Sequence, residues 1–163
     1  MVGEYNYACS ENPKFDFEDE NNELFKFKKD SIFEEKIDFE GIKGYYWGVK
    51  DFKDSEGNLV AMKDRPVIVD LHGGPHVFTG AQAFSFMKIL MNLKGYIFLT
   101  VNFSGSWSYG KDYNERLAGE VGYLDVKEIM AIITDLQEKE KLTKTDLHFL
   151  GGSYSGLNGI ALF

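Results

Sequence analysis

The sequence predicts an α/β fold: a mixed, mostly parallel sheet led by an N-terminal antiparallel hairpin. Three short apolar runs, PVIVDL (66–71), YIFLTVN (96–102) and LHFL (147–150), lack alternation, as expected of strands buried on both faces. Segments of helical character separate them, and strand-helix-strand order is the signature of parallel pairing through crossovers. Upstream of these runs the pattern changes to a period of two, which belongs to half-buried antiparallel strands.

The hairpin is expected from Lys36–Glu40 and Tyr45–Val49, both alternating, with a turn at 41–44. Asp51 to Asn58 (DFKDSEGN) is turn chemistry. Ala83–Leu93 (AFSFMKILMNL) is apolar enough for a buried helix and stops at Lys94-Gly95. Between Asp125 and Lys139, Ile129, Ile132, Ile133 and Leu136 stand at i, i+3, i+4 and i+7, one face of an amphipathic helix. Asp125 opens that helix and reads as its N-terminal cap. A last helix is expected from Leu157 to Phe163. Residues 1–32 form an acidic lead-in with no clean period, holding at most one short strand at Phe25–Lys28. The domain proper is expected over 33–163.

Composition narrows the class of function. The chain of 163 residues is 44% apolar and carries a net charge of −8, which argues against nucleic acid because phosphate neutralisation needs clustered Lys and Arg. One cysteine, Cys9, allows no intrachain disulfide and no cysteine-based metal site. No run reaches the ~18 apolar residues of a membrane span. A soluble cytoplasmic protein with no metal, no cofactor and no membrane partner is the expectation.

Two glycine-rich segments sit at strand ends, where sites in such sheets lie. The first is Gly151-Gly152-Ser153-Tyr154-Ser155-Gly156, which places a serine at a sharp strand-to-helix turn. A serine so held has a strained backbone and needs small neighbours two residues either side, here Gly151 and Ser155. Alone, it also fits an ordinary glycine-rich βα turn or a phosphate-binding one. The second is His72-Gly73-Gly74-Pro75-His76, whose consecutive glycines allow a backbone N–H to face a site. Both motifs together, in this order, favour a hydrolase.

These motifs, with Asn102-Phe103-Ser104-Gly105-Ser106, Tyr109-Gly110, Tyr113 and Gly119-x-x-Gly122-x-x-Asp125-Val126, resemble the prolyl oligopeptidase family, and within it the acylaminoacyl-peptidase and dipeptidyl-peptidase-like branch. The resemblance covers residues from about 33 to 163. It implies a partial α/β-hydrolase fold, truncated after the nucleophile elbow. By the same resemblance Ser153 is the catalytic nucleophile, the amides of Gly74 and Tyr154 form the oxyanion hole, short peptides or acyl-peptides are substrates, and no cofactor is needed. The sequence departs from the family pattern N-Y-R-G-S, where the arginine is replaced by Ser104, and from G-G-S-Y-G-G, where Ser155 replaces a glycine.

In this fold the triad runs Ser, Asp, His, with both partners well beyond the serine. Among the three histidines, His148 lies five residues before Ser153 in the same strand, while His72 and His76 belong to the glycine loop. The expectation is an incomplete catalytic domain, inactive alone. The rival expectation is a degenerate, non-catalytic hydrolase module used for binding or dimerisation. In either case the bare edge beside the serine strand invites a homo-oligomer, and a reading frame continuing to an Asp and a His would separate the two.

Overall fold

The computed structural model describes residues 32–80 and 86–162. The expectations for the lead-in, including Phe25–Lys28 and Cys9, and for residues 83–85 and 163, lie outside the described residues. The strands are β1 (Ile32–Phe39), β2 (Ile42–Val49), β3 (Val67–Leu71), β4 (Ile97–Asn102) and β5 (Leu147–Gly151). The helices are α1 (Phe86–Leu93), α2 (Lys111–Glu115), α3 (Leu124–Glu138) and α4 (Tyr154–Leu162). Among the described residues no helix is long and apolar enough to cross a membrane.

The strands form one sheet in the order β1-β2-β4-β3-β5. β2 pairs antiparallel with both β1 and β4, and β3 pairs parallel with both β4 and β5, so the sheet is mixed with the two senses evenly divided. The hairpin turn is tighter than the 41–44 expected. Glu40 (φ 51°) and Gly41 (φ 84°) alone make it, and positive φ at both central residues is the twist-matched geometry of a two-residue hairpin loop. Gly44 lies inside β2, not in the turn. A Cβ there would stand 2.5 Å from the Thr100 carbonyl oxygen, so the close approach of β2 to β4 requires a glycine.

All five residues of β3 and all six of β4 are buried, as the unbroken apolar runs require. On one face, Val67, Val69, Leu99 and Val101 pack with Ile129, Ile132, Ile133 and Leu136 of α3. Burying each of those α3 side chains contributes roughly 1.5–3 kcal/mol, so the stripe alone ties the helix to the sheet. On the other face, Ile68 and Phe98 pack with Trp47, whose ring stacks on Phe98 at 4.7 Å, and Met91 of α1 covers them. β5 is paired on one side only among the described residues and is half-buried, with Leu150 exposed, where a fully buried strand was expected.

The DFKDSEGN turn is closed by Asp54, whose Oδ1 accepts from the amides of Glu56 and Asn58, both at 2.9 Å. This layout sets the carboxyl ends of β3, β4 and β5 side by side, with the loops that follow them gathered at one end.

Candidate active site

Ser153 is the second of the two residues between β5 and α4, with φ 57°. Left-handed backbone at a non-glycine residue costs on the order of 1 kcal/mol and persists only where surroundings impose it. Here they are visible. Gly152 donates its N–H to Ser155 Oγ at 2.9 Å, Ser155 Oγ donates to the Gly152 carbonyl at 2.9 Å, and the Gly156 N–H donates to the Ser153 carbonyl at 3.0 Å. Ser155 is fully buried, and helix α4 starts directly at Tyr154, three residues before the expected start. The serine found in place of the usual glycine is therefore a staple across the turn. Its cost falls on Gly151, where a Cβ would stand 2.5 Å from Ser155 Oγ and 2.6 Å from Phe149 Cζ.

The loop after β3 meets this turn. A Cβ on Gly73 would lie 3.1 Å from the Gly152 carbonyl oxygen, 3.3 Å from Ser153 Cβ and 3.9 Å from Ser153 Oγ. Gly74 follows with φ 89°, and a Cβ there would stand 2.8 Å from Val77 Cγ2. Both glycines are needed: the first for close approach, the second for its backbone sign. Asn102, at the end of β4, holds the far end of the loop. Its side chain accepts from the Thr79 N–H and donates to the Thr79 carbonyl, both at 2.9 Å, and also reaches Tyr109 Oη at 3.0 Å.

An aromatic column joins loop to turn. Phe103, fully buried, stacks on His72 at 4.8 Å and on Tyr154 at 5.9 Å. Tyr154 donates its hydroxyl to Asp125 Oδ2 at 2.6 Å. Burial and this carboxylate push the Tyr154 hydroxyl well above the ordinary tyrosine range. The cap reading of Asp125 is corrected here. The N-cap position is Tyr123 and makes no side-chain cap bond, while Asp125 is wholly buried and is committed to Tyr154. Nothing in local helix patterning signalled that, since its partner lies 29 residues away.

The histidines are engaged away from the serine. His72 sits with Nε2 2.9 Å from Ser106 Oγ and Nδ1 2.9 Å from the Gly73 carbonyl oxygen. Burial lowers its pKa, against the opposing pull of the Gly73 carbonyl and Asp70. His76 Nδ1 lies 3.0 Å from the Gly105 carbonyl oxygen and 2.8 Å from Asn114 Nδ2. His148 pairs with Asp146 at 2.8 Å and packs against Tyr96, at the opposite end of β5. Among the described residues no side chain hydrogen-bonds the Ser153 hydroxyl, and no group of three or more metal-ligating side chains converges.

Where the family pattern has arginine, Ser104 satisfies a buried acid instead. Its N–H and hydroxyl both donate to the Glu128 carboxylate, each at 2.6 Å. The sequence alone did not single out Glu128, which sits on the charged side of a helix pattern and is nonetheless buried.

Comparison with known proteins agrees with this fold. Residues 82–162 match the model of the prolyl oligopeptidase family. Acylamino-acid-releasing enzyme 1 of Oryza sativa subsp. japonica is 32% identical over 104 residues, covering 62% of this chain and 13% of that protein. The Arabidopsis thaliana acylamino-acid-releasing enzyme is 35% identical over 91 residues, covering 56% and 12%. Among solved structures, puromycin hydrolase superposes with a TM-score of 0.64 at 27% identity, over 74% of this chain and 18% of that one. The acylaminoacyl peptidase of Pyrococcus horikoshii gives 0.62 at 26% identity, over 80% and 20%. The chain thus spans roughly an eighth of the curated relatives and a fifth of the structural ones. The fold is that of the α/β-hydrolase peptidases, and the second half of the chain matches the prolyl oligopeptidase family.

Proposed function

We propose that this chain carries the nucleophile and oxyanion hole of a serine peptidase that removes acylated residues from, or cleaves, short peptides. The observation that carries the reading is Ser153, held at φ 57° on a strand-to-helix turn with Gly73 packed against it. In this reading Ser153 Oγ attacks the scissile carbonyl carbon, and the developing oxyanion takes hydrogen bonds from the amides of Gly74 and Tyr154. Collapse expels the amine, and water then hydrolyses the acyl-enzyme. Asp125 serves by fixing Tyr154, and so the direction of its amide.

The serine needs a proton acceptor to act at neutral pH. All three histidines of the sequence are committed elsewhere, so these 163 residues do not turn over by themselves. What remains without a base is the contribution of the oxyanion hole and binding. The names of the relatives, which release acylated amino acids, support acyl-peptides as the substrate class. The composition, with a single cysteine, supports a reducing, cytoplasmic setting, and the one-sided pairing of β5 supports association of two copies.

The test is a fluorophosphonate probe applied to the protein in its native context, with the adduct mapped by mass spectrometry. Labelling at Ser153, abolished by Ser153→Ala, is expected. An active protein labelled at another residue sinks the assignment. Inertness of a stable, abundant protein favours the rival reading, a non-catalytic binding module, for which the unpartnered Ser153 hydroxyl is the observation in favour.

A further inference from the structure

A second feature lies at the other end of the sheet. Arg65 precedes β3 at its N-terminal end, whereas the glycine loop follows its C-terminal end, a separation of about 16 Å along the strand. Arg65 is 1% exposed. Its Nε donates to the Gly95 carbonyl and its Nη1 to the Val49 carbonyl, each at 2.7 Å, and the guanidinium stands 5.3 Å from the centre of the Phe52 ring. Nη2 has no acceptor among the described residues. The ion pairs formed among the described residues do not include Arg65. Burial lowers its pKa to about 10, so it remains charged at neutral pH. A buried cation held by two carbonyl dipoles, with a spare N–H, is a strongly destabilising arrangement unless an anion completes it.

Among the described residues no neighbouring side chain does so. Nη2 and the Asn92 amide nitrogen converge beneath Gly48, 3.2 and 3.3 Å from where a Cβ would stand. Turning the Asn92 amide over would offer its oxygen there, but only by setting that oxygen against the Tyr96 carbonyl, to which Nδ2 now donates at 2.9 Å. The guanidinium instead borders an open cavity of about 540 Å³. Its walls are apolar, chiefly Phe33, Val49, Leu59, Val60 and Met62. Lys50 and Asp51 are the other charged lining residues, which leaves the lining one positive charge in excess. Leu59 is 66% exposed and Met62 38%, so a large apolar surface faces water at the mouth.

We propose that this cavity is a binding site for a monocarboxylate with an apolar body. The carboxylate pairs with the Arg65 guanidinium at the cavity wall, and the body lies against Leu59, Val60 and Met62. One net charge and dry walls suit a single carboxylate; a phosphate dianion would call for more donors and more charge than the lining offers. The carboxylate has two sources, a free small molecule or the chain's own acidic lead-in, Glu18-Asp19-Glu20. The site is independent of Ser153 and of the proposed reaction.

The test is calorimetric titration of the 163-residue chain with octanoate and with octanamide, the same body without the charge. Saturable one-to-one binding of octanoate is expected, with octanamide at least about tenfold weaker. Arg65→Gln should abolish the difference. Because that variant touches buried bonds, Ala61→Trp, which fills the cavity without altering Arg65, should abolish octanoate binding while the circular dichroism spectrum is retained. Binding that emerges only when Glu18→Gln, Asp19→Asn and Glu20→Gln are combined supports the site and assigns the lead-in as its resident. Equal affinity for octanoate and octanamide, or no octanoate binding in either background, overturns the proposal.

Discussion

Replacing Ser155 by glycine, the residue the family pattern carries at this place, should weaken this protein. Ser155 Oγ spans the nucleophile turn, accepting from the Gly152 N–H and donating to the Gly152 carbonyl, both at 2.9 Å. A net intramolecular hydrogen bond contributes about 1 kcal/mol, and glycine in place of serine early in a helix costs about 0.5 kcal/mol more. Gly152 itself is exposed, so water recovers part of the loss. The sum is about 1.5–2.5 kcal/mol, or a fall in melting temperature of roughly 4–8 °C for a chain of this size. Urea unfolding followed by circular dichroism, with the midpoint compared at constant m, gives the value. The same geometry predicts coupling. Gly151→Ala alone overpacks Ser155 Oγ and Phe149, costing about 1–3 kcal/mol, and with Ser155→Gly part of that cost is relieved, so the pair should depart from additivity by at least about 0.5 kcal/mol. A Ser155→Gly protein as stable as the parent, or an additive double variant, would refute the staple.

Phe103→Ala should cost about 3–5 kcal/mol, because it removes the fully buried ring between His72 and Tyr154; thermal melts check it. At Ser153 the φ of 57° is easier for glycine than for alanine, so Ser153→Gly should exceed Ser153→Ala in stability by about 1 kcal/mol, read from paired urea midpoints. Burial depresses the His72 pKa, so the unfolded chain binds its proton first as pH falls. That contribution is complete above about pH 6.5 and is lost as pH drops from there through the folded value. The loss between pH 7.5 and pH 5.5 should shrink in His72→Gln, and an unchanged pH profile in that variant would exclude His72 as its source.

The sheet was legible because its signals are local. The unbroken runs of β3 and β4 and the stripe Ile129, Ile132, Ile133, Leu136 each state a period and a burial that the fold obeys. The hairpin was legible in kind and missed in detail: Gly44 reads as a turn residue, but its role is to admit the Thr100 carbonyl, a neighbour from another strand. The site divides in the same way. Ser153 and the glycines before it declare themselves by spacing, since a sharp turn allows few residues. Asp125, Glu128 and Arg65 do not, because their partners lie 29, 24 and 30 residues away and helix or loop patterning treats a charge as solvated. Ser155 is intermediate: the sequence shows that it departs from glycine, and only the folded turn shows what its hydroxyl does.

The central claim is that Ser153, on its strained turn beside Gly73, is the nucleophile of a peptidase. The most direct measurement is the mapped site of fluorophosphonate labelling in the natively isolated protein, with the 163-residue chain in parallel. The account predicts one adduct, at Ser153 in the native protein, and no release of p-nitroaniline from an acyl-alanine anilide by the chain alone. An adduct elsewhere in an active protein, or turnover by the chain that survives Ser153→Ala, would contradict it.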